Sequence, residues 1–268
     1  MALIAKGKFK EAFDLIRQRM PLPVVCGRIC LATCEEICRR QELDQSIAIE
    51  SLKRFVTDYV DEELPTFLPQ TRPDKVAIVG SGPTGLAAAY ELIRMGYGVT
   101  IYEALPVAGG MLATGIPPHR LPKEMLNRDI DYIKTLGVKI ETNSPIGQGL
   151  NLDTLTHQGY GAILLAIGAQ NGQRLQIPGA DLGGTLVATS FMRDVNLGKK
   201  LEVGKRVMVL GGGNVAIDCA RTALRLGADE VQVACLECRE DMPLKYLRSN
   251  MLRRKAFLFT PLRPSLEF

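Results

Sequence analysis

A short strand that runs into closely spaced glycines and out again as a helix limits a chain more than any other local pattern. Residues Val76–Val79 form such a strand-like run, β-branched and apolar, and Gly80-Ser81-Gly82-Pro83-Thr84-Gly85 follows at once. From Pro83 the apolar residues take helical spacing to Met95. In the pattern G-x-G-x-x-G, Gly80 permits the tight turn and Gly82 lets a pyrophosphate reach the backbone. Gly85 lets the helix lie against the strand, and Pro83 stands at the helix start. The N–H groups and dipole of that helix start attract phosphate. Val99–Tyr102 is a second strand and ends at Glu103, about 20 residues on, where an acid would hold ribose hydroxyls. A second glycine pair follows in Gly109-Gly110-Met111-Leu112, as in FAD sites. The first unit is therefore read as an FAD unit, with a plain glycine loop as the alternative.

The pattern recurs downstream. Arg206–Leu210 is a strand, Gly211-Gly212-Gly213 a turn, Asn214-Val215-Ala216 the start of a helix to Leu226, and Glu230–Cys235 the next strand. Ala216 replaces the third glycine, an allowed variant. A nicotinamide site after a flavin site implies hydride transfer between the two cofactors, which needs no acid–base dyad from the protein. Neither His119 nor His157 belongs to a catalytic constellation, and both are read as surface residues. Glu237 stands where an acid would favour NAD(H), and Arg239 nearby could favour the 2′-phosphate of NADP(H). The balance leans to NAD(H).

Ahead of the first turn, residues 3–20 read as one amphipathic helix and 45–60 as another, and the prolines at 65, 69 and 73 mark a linker. Between the helices lie Cys26, Cys30, Cys34 and Cys38. On a straight helix the outer two would stand about 18 Å apart, so either the chain bends or the thiols serve different clusters. The short gaps favour an iron–sulfur cluster over zinc, whose sites usually come as two knuckles; core or redox cysteines are the third alternative. The seven cysteines are odd in number and no export signal precedes them, so a reducing, cytoplasmic setting is expected. The later pair Cys235 and Cys238 reads as structural. No run is long and apolar enough to span a membrane. The net charge of +4 gathers in residues 239–268, which leaves no distributed basic face for nucleic acid. Lys123–Leu136 reads as a helix, Val138–Glu141 as a strand, and Ala162–Ile167 as a strand buried on all sides. The expected fold class is α/β: a helical cysteine segment over 1–70, a Rossmann-like FAD domain over 71–200, and a partial Rossmann-like NAD(P) domain over 201–268.

The order of these segments, with VAIVGSGPTGLAAAYEL, IYEALPVAGGML, GIPPHRLP, AILLAIGA and VMVLGGGNVAIDCARTALRLGA, resembles the small (beta) subunit of glutamate synthase. The resemblance extends to that subunit's relatives, including the N-terminal half of dihydropyrimidine dehydrogenase. It implies an electron-input module in which a nicotinamide dinucleotide reduces FAD. Electrons then pass through [4Fe–4S] clusters to a larger catalytic or electron-accepting subunit. It implies cluster ligands at Cys30, Cys34 and Cys38, with Cys26 beside them. FAD contacts are implied at Gly80, Gly82, Gly85, Glu103, Gly110 and near Gly168, and nicotinamide-dinucleotide contacts at Gly211, Gly213, Asn214 and Ala216.

The chain also departs from the family pattern. The family carries further cysteines upstream and a returning Gly-Asp segment downstream, so this chain is expected to be truncated at both ends. After Pro243 the family has an acidic helix, where this chain reads LKYLRSNMLRRKAFLFTPLRPSLEF, basic and patternless. With permitted codons around Met251, a one-base shift of frame turns YLRSNMLRRKAF into a sequence containing E-I-E-H-A-P-E-E-G-I, so the tail from about 245 is expected to be frameshifted. The alternative function is a non-catalytic electron-transfer or docking subunit whose truncated flavin site is empty.

Overall fold

The structure, a computed structural model, describes residues 1–147 and 149–236 in full and the backbone of 257–261. Its contacts gather into two units, one of residues 1–113 and 118–168, the other of residues 114–117 and 169–268.

In the first unit the N-terminal apolar residues form two helices rather than one, α1 (Ala2–Ala5) and α2 (Phe9–Arg19). The break falls at Gly7, whose φ of +71° ends the first turn and lets Leu3 and Ile4 fold back onto Ala12, Phe13 and Val56. Pro23 opens α3 (Pro23–Ile29), followed by α4 (Thr33–Glu36), a 3-10 turn at Arg39–Glu42, and α5 (Ile49–Tyr59). The proline-rich 61–74 stretch has no regular structure, as expected where Pro65, Pro69 and Pro73 each fix φ and remove a ladder donor.

Beyond it a parallel sheet is ordered β3-β2-β1-β4, from β1 (Lys75–Val79), β2 (Gly98–Tyr102), β3 (Lys139–Glu141) and β4 (Tyr160–Leu165). Parallel strands need crossovers, supplied here by α6 (Pro83–Arg94), a short α7 (Met111–Thr114), α8 (Lys123–Thr135) and α9 (Leu152–His157). β1 is central and its Ala77 and Ile78 are fully buried. β4 is not the strand buried on all sides that its composition suggests: Leu165 is 58% exposed and Ile167 61%. Among the described strands it lies at the sheet edge, hydrogen-bonded to β1 on one side, without the second neighbour that shields a central strand.

A buried ionic network ties the helical segment to this sheet unit. Arg17 of α2 is 4% exposed and forks onto Glu62, with Nη2–Oε2 at 2.6 Å and Nε–Oε1 at 2.7 Å. Its Nη1 reaches Asp129 of α8 at 2.7 Å, and the other oxygen of Asp129 accepts the N–H of Val25 at 2.9 Å. Tyr132 stacks beneath the guanidinium, 4.2 Å from ring centre to Cζ. Desolvation raises the Asp129 carboxyl to about 6, against the pull of Arg17 and the Val25 N–H.

The second unit holds α10 (Ala188–Asn196), β5 (Arg206–Leu210), α11 (Asn214–Arg225), β6 (Glu230–Cys235) and β7 (Phe257–Pro261), its sheet ordered β5-β6-β7 and parallel. Ala220 and Ala223 of α11 pack on Val231 and Val233 of β6. The tail expected to be patternless contributes β7, because Phe257–Thr260 is a β-prone run stopped by Pro261. Of the tail expected to be frameshifted, residues 245–256 and 262–268 lie outside the described residues. No described helix is long and apolar enough to cross a membrane.

Candidate functional site

The first glycine turn leaves β1 and enters α6, with Gly82 as N-cap and Pro83 at the helix start. The N–H of Gly80 donates to Tyr102 O of β2 at 2.8 Å. The need for glycine has a measurable reason at Gly85 and at Gly110. A Cβ on Gly85 would stand 2.0 Å from the Gly80 carbonyl oxygen, so only glycine lets α6 start this close to β1. A Cβ on Gly110 would meet Gly82 Cα at 2.8 Å, and Gly110 has φ +53°. The two glycine loops therefore lie backbone against backbone.

Glu103, 6% exposed, sits beneath this contact. Its Oε2 accepts the Ser81 N–H at 2.9 Å and also the Ser81 hydroxyl, and its Oε1 accepts the Leu105 N–H at 2.9 Å. A carboxylate has room for about four hydrogen bonds, so one acceptor position on Oε1 remains. Leu112 is buried and its N–H donates to Gly109 O at 3.1 Å, which closes the second loop. Ala166, just before Ile167 and Gly168, stands against Gly80. The structure thus gathers Gly80, Gly82, Pro83, Gly85, Glu103, Gly110 and Leu112 at one end of the sheet, with Gly168 following the neighbouring strand. Backbone N–H groups stand there at a helix start, with the buried carboxylate of Glu103 below and the Ser81 hydroxyl joining the two. Such a cradle fits a dinucleotide.

The second turn repeats the plan in its own unit. Gly211, with φ +124°, donates its N–H to Ala234 O at 2.8 Å, and Gly213 caps α11 at Asn214. Ala216 stands at the third-glycine position, its methyl 3.8 Å from where a Cβ on Gly211 would lie. Gly211, Gly213, Asn214 and Ala216 are thus brought together, and they too fit a dinucleotide. Glu237 and Arg239, the residues read for cofactor choice, and Cys238 lie outside the described residues.

The four N-terminal cysteines are not gathered. Cys26 is half-buried on α3, and burial pushes its thiol up. Cys30 ends that helix and accepts the Ala32 N–H at 3.3 Å. Cys34 is exposed on α4, and Cys38 precedes the 3-10 turn. The chain bends between them, which excludes the straight helix, yet among the described residues no three of His, Cys, Asp or Glu converge as a metal site. Thiols suit iron in kind, and all four are free of disulfides. His157 is exposed, as expected, with Nδ1 2.7 Å from Asp153 O. His119 is instead half-buried, its Nε2 shielded from water beside buried Leu121.

Sequence reading missed Ser81, which carries the hydrogen bonds described above. The hint was a hydroxyl inside an otherwise side-chain-free turn.

The fold and the two turns define a two-unit α/β protein of the dinucleotide-binding kind. Residues 74–251 match the family described as pyridine nucleotide-disulphide oxidoreductase, and the chain belongs to that family. Residues 1–64 match the family described as dihydropyrimidine dehydrogenase domain II, 4Fe-4S cluster. The expected resemblance holds, and with it the family's cofactors: FAD, a nicotinamide dinucleotide and a [4Fe–4S] cluster. The beta subunit of NADPH-Fe(3+) oxidoreductase from Geobacter sulfurreducens is 45% identical over 248 residues, which span 90% of this chain and 37% of that one. The glutamate synthase [NADPH] small chain of Bacillus subtilis is 36% identical over 243 residues, 85% of this chain and 49% of that one. The solved structure of Mycobacterium tuberculosis FprA in complex with NADPH superposes with a TM-score of 0.56 at 27% identity. That match covers 65% of this chain and 45% of FprA. The chain thus spans less than half the length of these relatives.

Proposed function

We propose that this chain is the electron-input module of an FAD-dependent NAD(P)H oxidoreductase that serves a partner subunit. The observation that carries the reading is the paired-glycine cradle over Glu103 (Gly110 Cβ position to Gly82 Cα, 2.8 Å). Bound FAD would accept a hydride from a nicotinamide dinucleotide and release electrons singly. The chain's own residues bind and orient. The N–H groups at the start of α6 would hold the FAD pyrophosphate, and the free acceptor position of Glu103 would take one ribose hydroxyl. Gly211, Gly213, Asn214 and Ala216 hold the nicotinamide dinucleotide in the same way. The names of the relatives, NADPH-Fe(3+) oxidoreductase and glutamate synthase [NADPH], favour NADPH over the NADH suggested by Glu237. Those names also speak of a subunit and a small chain, which supports a larger partner. Cys26, Cys30, Cys34 and Cys38 are proposed as [4Fe–4S] ligands on the family match alone.

The test is an anaerobic visible spectrum of the purified chain after loading with FAD. Flavin bands that persist through desalting and bleach on adding NADPH support the proposal. A protein that keeps no flavin refutes it and favours the non-catalytic alternative. Flavin retained but inert to both NADPH and NADH refutes the electron-input role.

A further inference from the structure

Two glycine turns of one design occur in this chain, and they differ between their first two glycines. The first turn has Ser81 there and the second has Gly212. Ser81 is fully buried, although a turn serine ordinarily faces water. Its N–H donates to Glu103 Oε2 at 2.9 Å, its hydroxyl donates to the same oxygen, and its Oγ accepts the Gly109 N–H at 3.0 Å. One hydroxyl therefore joins the β1–α6 turn, the end of β2 and the second glycine pair. Gly212 carries no side chain with which to do the same, and a Cβ on Gly213 would meet nothing within 4 Å.

We infer that Ser81 is a positioning residue that makes the first turn a holding site for a resident dinucleotide, whereas the second turn, with Gly212 at that position, takes one that comes and goes. The inference deepens the proposed function and rests on the reading of the first turn as the FAD site. The physical basis is preorganisation. A hydrogen bond to a buried carboxylate is among the strong ones, and here it fixes the orientation of Glu103 before any ligand arrives. The Gly109 N–H, held by Oγ, sets the backbone of the Gly109–Gly110 pair in the form that lies against Gly82. A cradle ordered in advance loses less entropy on binding and lets its ligand go more slowly. Removal of Oγ takes away that order and leaves the buried Gly109 N–H without its acceptor.

The experiment uses the full chain loaded with FAD and follows the rise in free-flavin fluorescence after dilution, beside NADP+ affinity by titration. Ser81→Ala and Ser81→Gly, the latter copying the second turn, are expected to release FAD about 10- to 100-fold faster, with NADP+ affinity unchanged. In a Glu103→Gln background, Ser81→Ala is expected to add less than about threefold, because the hydroxyl acts through that carboxylate. Wild-type protein that binds no FAD sinks the proposed function itself. Retained FAD with wild-type release in Ser81→Ala overturns the role of Ser81 alone. Additive effects of Ser81→Ala and Glu103→Gln overturn positioning through Glu103. A matching loss of NADP+ affinity in Ser81→Ala means a general folding role and overturns it too.

Discussion

Replacing Arg17 with alanine tests the buried network that joins the cysteine-bearing helices to the sheet. The change removes the fork to Glu62, the 2.7 Å bond to Asp129, a 2.9 Å bond to Pro21 O and the stacking on Tyr132. Two carboxylates stay behind, with side chains 8% exposed for Glu62 and 0% for Asp129; Glu62 keeps Arg128 at 3.7 Å, whereas Asp129 keeps the Val25 N–H but loses its cation. Leaving a buried charge unpaired costs about 3–5 kcal/mol, a large share of the roughly 5–15 kcal/mol that holds a protein folded. The cost depends on pH with a sign that can be worked out. The folded Asp129 carboxyl titrates at about 6, above its usual 3.8, so the folded state keeps a proton the unfolded chain has lost. Its contribution to stability is therefore complete below pH 3.8 and declines as pH rises to about 6, by up to about 3 kcal/mol. Without Arg17 the carboxyl holds its proton still more firmly. Arg17→Ala should then cost about 4 kcal/mol at pH 7 but no more than about 2 kcal/mol at pH 5. Adding Asp129→Asn, which keeps an acceptor for the Val25 N–H, should recover about half of the loss at pH 7. The chain has no tryptophan, so urea unfolding followed by far-UV circular dichroism is the assay. A cost below about 1 kcal/mol at pH 7, or one equal at both pH values, refutes the reasoning.

Other outcomes follow from the same geometry. Gly85→Ala drives a methyl to 2.0 Å from Gly80 O and should cost about 3 kcal/mol or more and abolish flavin retention, whereas Ala216→Gly should cost only about 1 kcal/mol; thermal unfolding compares them. Gly110→Ala, at φ +53° and against Gly82, should lower FAD affinity at least about tenfold in a flavin fluorescence titration. Burial pushes the Cys219 thiol up to about 12, so DTNB at pH 8 on metal-free protein should modify exposed Cys34 first and Cys219 only on unfolding.

Much of the fold is legible in the sequence because local physics sets it. Pro83 and the glycines around it mark where β1 ends and α6 begins, and Glu230–Cys235 forms a strand at the residues that β-branched alternation indicates. The proline-rich stretch at 61–74 stays irregular for the same local reason. Gly7 was the missed break: the apolar period continues across it, and only its positive φ interrupts the helix.

What needed the tertiary structure is whatever depends on adjacency across long loops. Glu103 was visible as an acid after a strand, but its grip on Ser81 exists because β2 lies beside β1 in the sheet. Arg17 and Asp129 look like surface charges on helices and become a buried pair only when those helices pack. The apolar run of β4 suggests a central strand, and its place at the sheet edge decides otherwise. Four closely spaced cysteines suggest iron–sulfur ligands on a bent chain or in different clusters, and only the structure shows the bends, two short helices and a 3-10 turn. A sequence carries the preferences of neighbouring residues directly. Which distant residues meet is a property of how whole elements pack, because burial and close approach are shared by many residues at once.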